Sequence, residues 1–453
     1  MSKAVKIRKG ANIKLQGEPD KVFVNAPHSE IVALKPTDFH GLTPKMKVNE
    51  GDQVKAGSTL FVDKYRPDIK FASPVSGIVK EIVRGAKRRI MEVTIQADKE
   101  IQHEDFGAGN PKELSREQII EKLLSAGLWP LIIQRPFATI ANPEDKPKSI
   151  HITTLDTAPL APDFDFIIQR NEDTFQKGLD AISKLTEGST HLNIAGEQGH
   201  ASSFENMKGV KLNRFKGPHP AGNVGVQIHH IEPINKGDVV WTMNAMAVLL
   251  IGRLFEQGKF DASTVVALSG PEAKSPKYYR TLIGSKVNTI TNGNITDEKV
   301  RIISGNVLTG DQVEPDGFIG FYHNQLTVIK EGDDRKFFLS KGWLSPGFNR
   351  FSLSKAYFSW LMPNKNYDVD TNLNGEKRAF VVTGQYEKVF PFNIYPVQLV
   401  KSIMVNDIEQ MENLGIYEVA PEDFALCEYA CTSKINVQDI VRKGLDVVQE
   451  ECA

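Results

Sequence analysis

Apolar and polar positions alternate with a period of two along much of the first hundred residues, the pattern of half-buried strands. From Val5 to Leu15 the alternation is interrupted at Gly10, which predicts a strand and a turn. Residues 46–62 place short β-rich runs around Gly51 and Gly57, where the backbone calls for positive φ. Residues 69–83 and 90–95, separated by a turn at Arg84 and Gly85, repeat the scheme. Two similar β units predict a small sandwich or barrel.

Near residue 110 the period lengthens to nearly four. Ser115 and Gln118 form a capping box, and Ile119, Ile120, Leu123 and Leu124 follow at helical spacing until Gly127. Residues 150–155 read as a strand, Phe175, Leu179, Ile182 and Leu185 as one face of a helix, and residues 191–195 as the next strand. The crossover length suits parallel strands in an α/β sheet. Residues 238–257 read as a strand or turn running into a long helix. After Phe260 come short segments, 264–268, 288–291, 300–304 and 318–322, which predict a small β-rich unit. From Pro396 helices dominate: one over 397–414 stopped by Gly415, one over 421–431, and one after Asn436.

The chain has 453 residues, enough for about three compact units. Its 55 Lys+Arg balance 56 Asp+Glu, so bulk charge draws it neither to nucleic acid nor to an anionic membrane. The most apolar stretch, 243–255, carries Asn244 and Arg253 and falls short of the roughly 20 residues a spanning helix needs. The residues after Met1 lack the apolar run of a secretory signal, and the three cysteines, Cys427, Cys431 and Cys452, do not make a disulfide framework. A cytosolic setting is expected.

Candidate chemistry is sparse. Beyond the carboxyl ends of the predicted parallel strands lie residues 153–157, 195–199 and 215–225, and none carries a dinucleotide or triphosphate glycine signature. The loop with Gly217, His219 and Gly222 is the richest candidate for a ligand, and a stiff interdomain turn is the preferred reading of it. No histidine or cysteine spacing announces a metal: on a strand His229 and His230 would face opposite sides, and Cys427 with Cys431 at i,i+4 supplies two thiolates where a cluster needs four. Eight aromatic residues fall within 337–360, about four times the chain-wide 8%. With glycine, proline and serine breaking every period there, the stretch is either an interface or a long loop packed back on its own protein. The interface is preferred, and Phe337, Trp343, Phe351 and Trp360 are its candidate contacts.

The string Val48-x-Glu-Gly-Asp-x-Val-x-x-Gly-x-x-Leu60, followed by Ser73-Pro-Val-Ser-Gly-Ile-Val, resembles the lipoyl and biotinyl carrier fold. The expected cofactor lysine falls on Arg66, whose guanidinium cannot form the attaching amide; Lys64 and Lys70 are off register. A domain that kept the fold and lost the attachment is expected.

The whole chain resembles the NqrA family, the A subunits of the bacterial Na+-translocating NADH:quinone reductases. The resemblance rests on Ile7-Arg-Lys-Gly-Ala-Asn-Ile, Met46-Lys-Val-Asn-Glu-Gly-Asp-Gln-Val, Phe71-Ala-Ser-Pro-Val-Ser-Gly, Arg135-Pro-Phe-Ala-Thr-Ile-Ala, Gly217-Pro-His-Pro-Ala-Gly-Asn-Val-Gly and Cys427-Glu-Tyr-Ala-Cys-Thr-Ser-Lys. That family is similar in architecture to the NADH-binding flavin subunit of complex I and the C subunit of Rnf. The resemblance implies an α/β multidomain protein: a carrier-like β barrel-sandwich with an N-terminal β segment (1–102), a Rossmann-like domain (103–258), a β-grasp domain of the soluble ligand-binding type (259–330), an aromatic-rich connection (331–373) and a C-terminal helical domain (374–453). It further implies a peripheral position on the cytoplasmic side of the inner membrane, docked chiefly on the membrane-embedded B subunit. No catalytic residue, metal or cofactor of its own is expected, with ubiquinone or menaquinone, NAD, FAD, FMN and Na+ used by the complex. Competing expectations are a covalent carrier protein and a stand-alone nucleotide-dependent dehydrogenase.

Overall fold

The computed structural model describes residues 4–196, 202–296, 299–333 and 344–452, together with 337, 339 and 342. Trp343 and most of the candidate segment 195–199 lie outside the described residues. A seven-stranded sheet runs in the order Val5–Lys6, Lys211–Lys216, Ser189–Ala195, Ser149–Thr153, Val240–Asn244, Ile133–Arg135, Thr139–Ile140. The first five strands are parallel and the last two form an antiparallel edge. The alternation read in the sequence sorts its two faces. Ile150, Ile152, Leu192, Ile194, Trp241 and Met243 join the apolar cluster that holds the helices Glu172–Ile182 and Ala245–Gln257.

Those two helices meet backbone to backbone because each carries a glycine at the crossing. A Cβ on Gly178 would lie 2.1 Å from the carbonyl oxygen of Val248, and one on Gly252 would lie 2.0 Å from that of Thr174. Mid-helix glycine costs about 0.5–1 kcal/mol relative to alanine, and close packing offsets that cost here.

The barrel-sandwich unit pairs a four-stranded sheet, ordered Ile31–Leu34, Ile90–Ala97, Gly77–Arg84, Gln53–Val54, with a three-stranded one, Pro44–Met46, Thr59–Asp63, Lys70–Ala72. Leu60, Phe61, Ile69, Phe71, Val79, Val93 and Ile95 fill the space between them. A six-stranded sheet follows in the order Asp311–Val313, Val300–Ser304, Gln325–Lys330, Ser263–Ser269, Lys277–Leu282, Asp20–Asn25. The helices Pro396–Met404, Ile408–Asn413, Ala425–Ala430 and Val437–Cys452 close the chain around Val400, Met411, Leu426, Val441 and Leu445.

The strand read at the N-terminus lies in the seven-stranded sheet, where Val5 pairs with Phe215, and Phe23 pairs with Tyr278 in the six-stranded one. Periodicity gives a strand but not so remote a partner. Several expectations give way. Residues 288–291, read as a strand, form the helical turn Asn288–Thr291, and 318–322 contribute a single bridge from Phe318 to Lys286. Both segments sit beside glycines that cap or turn the chain. The strands Lys277–Leu282 and Gln325–Lys330, neither of them read in the sequence, complete the sheet instead. The helix over 397–414 is two helices, because Asn406 takes a φ of 56° and Asp407 caps a new start through Gln410 N–H. His229 and His230 lie on the helix Val224–Ile231 rather than on a strand.

Gly252→Ala is expected to cost about 1–3 kcal/mol through overpacking at the helix crossing. The urea midpoint measures it, and an unchanged midpoint would show that the helices separate freely.

Candidate functional site

The loop 217–225 leaves the sheet at the carboxyl end of Lys211–Lys216 and enters the helix Val224–Ile231. That is where ligands bind in open parallel sheets. Here the glycine faces are occupied by the chain itself. A Cβ on Gly217 would lie 2.4 Å from the carbonyl oxygen of Ile7, one on Gly222 would lie 2.6 Å from the Thr157 nitrogen, and one on Gly225 would lie 2.5 Å from Asp423 Oδ2. The N-terminal strand, the loop after Ser149–Thr153 and the C-terminal helices therefore converge on this one loop.

His219 is buried at the centre of that junction. Its backbone N–H donates to Asn12 Oδ1 at 2.9 Å. Thr157 Oγ1 accepts from Gly222 N–H at 2.9 Å and lies 3.3 Å from His219 Nδ1, so the hydroxyl proton is available to Nδ1. Nε2 has no partner among the described residues. Burial pushes the imidazole down to about 4, so the ring is neutral near pH 7.

The sheet face beneath the helix Val224–Ile231 is polar. His151 and His191, which are register partners, stack with ring centroids 4.5 Å apart. Asn213 Nδ2 donates to Asn193 Oδ1 at 3.0 Å, Asn193 Nδ2 donates to Gln227 Oε1 at 2.9 Å, and Gln227 Nε2 donates to Thr153 Oγ1 at 3.0 Å. Burial lowers both histidines, His151 to about 3. Two stacked neutral rings do not converge on an ion, and among the described residues no group of three or more His, Cys, Asp or Glu could hold a metal. Cys427 and Cys431 are buried, and desolvation pushes the Cys427 thiol well above its ordinary value, the wrong direction for a thiolate ligand.

A buried ion pair centres on Arg135, whose side chain is 2% exposed. Its Nη2 donates to Glu422 Oε1 at 2.5 Å and its Nη1 to Asp423 Oδ2 at 3.3 Å. Asp423 also accepts from Ala420 N–H at 2.9 Å. Arg135 begins a hairpin tip in which Phe137 and Ala138 take positive φ of 77° and 51°, a conformation that glycine and asparagine usually supply. The C-terminal helices hold that tip: Arg442 Nη1 donates to the Phe137 carbonyl at 2.6 Å, and the Phe137 ring meets Tyr417 edge-on. A second contact is His229, whose Nε2 accepts from Asn393 N–H at 3.0 Å; its Nδ1–H therefore donates to Glu418 at 2.6 Å.

The described part of the aromatic stretch is tied down by polar groups, and several of its rings face outward. Ser352 N–H donates to Ser359 Oγ at 3.0 Å, Ala356 N–H to Ser352 Oγ at 3.0 Å, and Lys365 Nζ to the Phe348 carbonyl at 2.9 Å. Of the sequence candidates, Phe337 and Trp360 are exposed, while Phe351 is half-buried against Tyr367 and the C-terminal core. Density alone did not mark Phe348 and Phe358, 56% and 44% exposed and stacked at 5.8 Å, or Leu344 and Leu361 beside them in sequence. At the barrel-sandwich tip, Arg66 Nε donates to Asp63 Oδ2 at 3.1 Å and Nη1 to the Ile140 carbonyl at 3.2 Å, which pins the hairpin to the neighbouring sheet.

Arg135→Met should cost about 3–5 kcal/mol, because it leaves buried carboxylate without its cation; the loss reads out as a lower unfolding midpoint. Burial pushes Asp423 up to about 6 from an ordinary 3.8, against the pull of Arg135. The folded form then binds more protons between those values, so this group's contribution to stability falls as pH rises from about 4 to about 6. Asp423→Asn should remove that slope from the midpoint-against-pH curve.

Comparison with known proteins matches three family models: the NqrA N-terminal barrel-sandwich hybrid domain over residues 5–98, the NqrA second alpha/beta domain over 114–260, and the NQRA C-terminal domain over 265–314. Full-length relatives are similar throughout. The A subunit of the Na(+)-translocating NADH-quinone reductase of Neisseria meningitidis is 37% identical over 99% of this chain and 100% of its own. That of Alcanivorax borkumensis is 37% identical with the same coverage, and that of Vibrio campbellii is 35% identical. Among solved structures, a chain of an NAD+-reducing NiFe hydrogenase aligns over 51% of this chain and 52% of its own, with 12% identity and a TM-score of 0.32, too distant to bear on the fold. On the full-length relatives and the three matched domains, the chain belongs to the NqrA family, the A subunits of the Na+-translocating NADH-quinone reductases.

Proposed function

We propose that this chain works as a peripheral subunit of a Na+-translocating NADH-quinone reductase, supporting quinone reduction coupled to Na+ export through its neighbours. It docks on the membrane-embedded part of the complex, chiefly the B subunit, from the cytoplasmic face. NAD, FAD, FMN, Na+ and ubiquinone or menaquinone belong in this reading to the complex, and the chain carries no redox centre. Among the described residues, no helix is long and apolar enough to cross a membrane. The observation that carries the docking reading is the outward-facing aromatic ledge over 344–361, whose backbone is braced by its own serines and Lys365. Large exposed apolar patches on an ordered backbone mark interaction sites.

Finer assignments follow the same reading. The five parallel strands flanked by helices support a Rossmann-like unit, and the six-stranded sheet supports a β-grasp unit. Quinone proximity of the 217–225 loop rests on His219, whose buried Nε2 is the polar group left for a ligand; Gly217 and Gly222 make room for the chain's own backbone. The covalent-carrier alternative is disfavoured by Arg66, an unacylatable side chain engaged with Asp63. A stand-alone dehydrogenase is disfavoured by the filled glycine faces of the 217–225 loop, the stretch whose glycines would suit a nucleotide.

Replacing Phe348, Phe358 and Trp360 together with Ser should reduce recovery of the membrane subunits on a tagged chain by about tenfold or more, the effect expected of central aromatic anchors. The unfolding midpoint should stay unchanged, because these rings are exposed. Wild-type recovery would contradict the docking assignment.

A further inference from the structure

A cavity of about 520 Å³ lies where three parts of the chain meet: the strand Asp20–Asn25, the helix Ala245–Gln257 and the paired strands Ser263–Ser269 and Lys277–Leu282. Its size is that of a small-molecule site. Ile167, Met246 and Leu249 line it although each is almost wholly withdrawn from bulk solvent, so part of its wall is apolar. The charged lining is of one sign: Arg253, Arg280 and the titratable His28 contribute to it, and no Asp or Glu does.

The two guanidinium groups are held differently. Arg253 Nη1 donates to the Ser263 carbonyl at 2.6 Å and lies 3.5 Å from Asp261, which balances part of its charge. The Arg280 guanidinium sits 4.7 Å over the Phe23 ring, and that ring is backed by Phe166 at 4.4 Å in a parallel stack. Arg280 has no carboxylate partner among the described residues. The ring carries no charge to neutralise the guanidinium, whose N–H donors form the fork that matches a carboxylate. One largely uncompensated positive charge beside an apolar wall fits one negative charge on an apolar body.

We propose that this cavity binds an amphipathic monocarboxylic acid, its carboxylate on Arg280 with Arg253 beside it and its hydrocarbon body against Ile167, Met246 and Leu249. The site is separate from the aromatic ledge and does not depend on how the chain docks.

The test is a titration of the full chain with sodium decanoate, followed through carbon-13 methyl-methionine resonances, with Met246 assigned by Met246→Leu. A saturable shift of the Met246 signal is expected. Decanol, which has the same body without the charge, should bind about tenfold or more weakly, inorganic phosphate should leave the signal in place, and Arg280→Gln should weaken decanoate about tenfold or more. Arg280→Lys should recover part of that loss. Because Arg280 is exposed, the glutamine variant keeps the fold, and an unchanged methionine spectrum without ligand checks this. Equal binding of decanol and decanoate, decanoate affinity unaltered in Arg280→Gln, or a shift at the exposed Met404 in place of Met246 would each overturn the proposal.

Discussion

One buried guanidinium sets the arrangement of this molecule. Arg135 stands at the antiparallel edge of the large sheet and is shared by Glu422 and Asp423 of the C-terminal region. A charge withdrawn from water costs several kcal/mol unless its partners stay in place, so sheet and helices cannot part without exposing that cost. The same contact stabilises a hairpin tip in a conformation that Phe137 and Ala138 would not choose alone, and Arg442 completes the hold from the last helix. The aromatic ledge lies in the chain between the six-stranded sheet and these helices, and the Leu15–Tyr367 and Lys330–Asp370 bridges tie its C-terminal end to the body. The ledge is thereby anchored at that end.

Legibility in the sequence followed the range of the interactions. The helix from Arg116 to Ser125 was readable because its cap, its apolar face and its stop at Gly127 lie within a dozen residues. The parallel strands around Ile150 and Leu192 were readable from periodicity and crossover length. Arg135 was legible only as part of a family string: its partners are nearly 290 positions away, and no local pattern tells a buried arginine from a surface one. The pairing of the strand Val5–Lys6 with Phe215 and the division at Asn406 were hidden for related reasons, the first resting on a distant partner and the second turning on a single backbone angle.

The glycine-rich loop shows how one composition serves two purposes. Glycines at the carboxyl end of a parallel strand permit close approach, and sequence does not say what approaches. Here Ile7, Thr157 and Asp423 do, each within a distance that a Cβ would forbid. What would be a ligand cradle in another α/β protein is a junction between segments of this one. The aromatic segment behaves in the opposite way: its density was visible in sequence, but which rings face outward depends on the serine and lysine contacts that brace the loop, so Phe351 turned inward while Phe348 and Phe358 did not.

In the proposed function the chain acts by presenting this ledge to the membrane-embedded part of its complex. Hydrogen exchange read by mass spectrometry, on the chain alone and in the assembled complex, tests that role most directly. Assembly is predicted to slow exchange chiefly across peptides covering 344–361. Unchanged exchange there, with new protection over the barrel-sandwich tip around Arg66 instead, would contradict it.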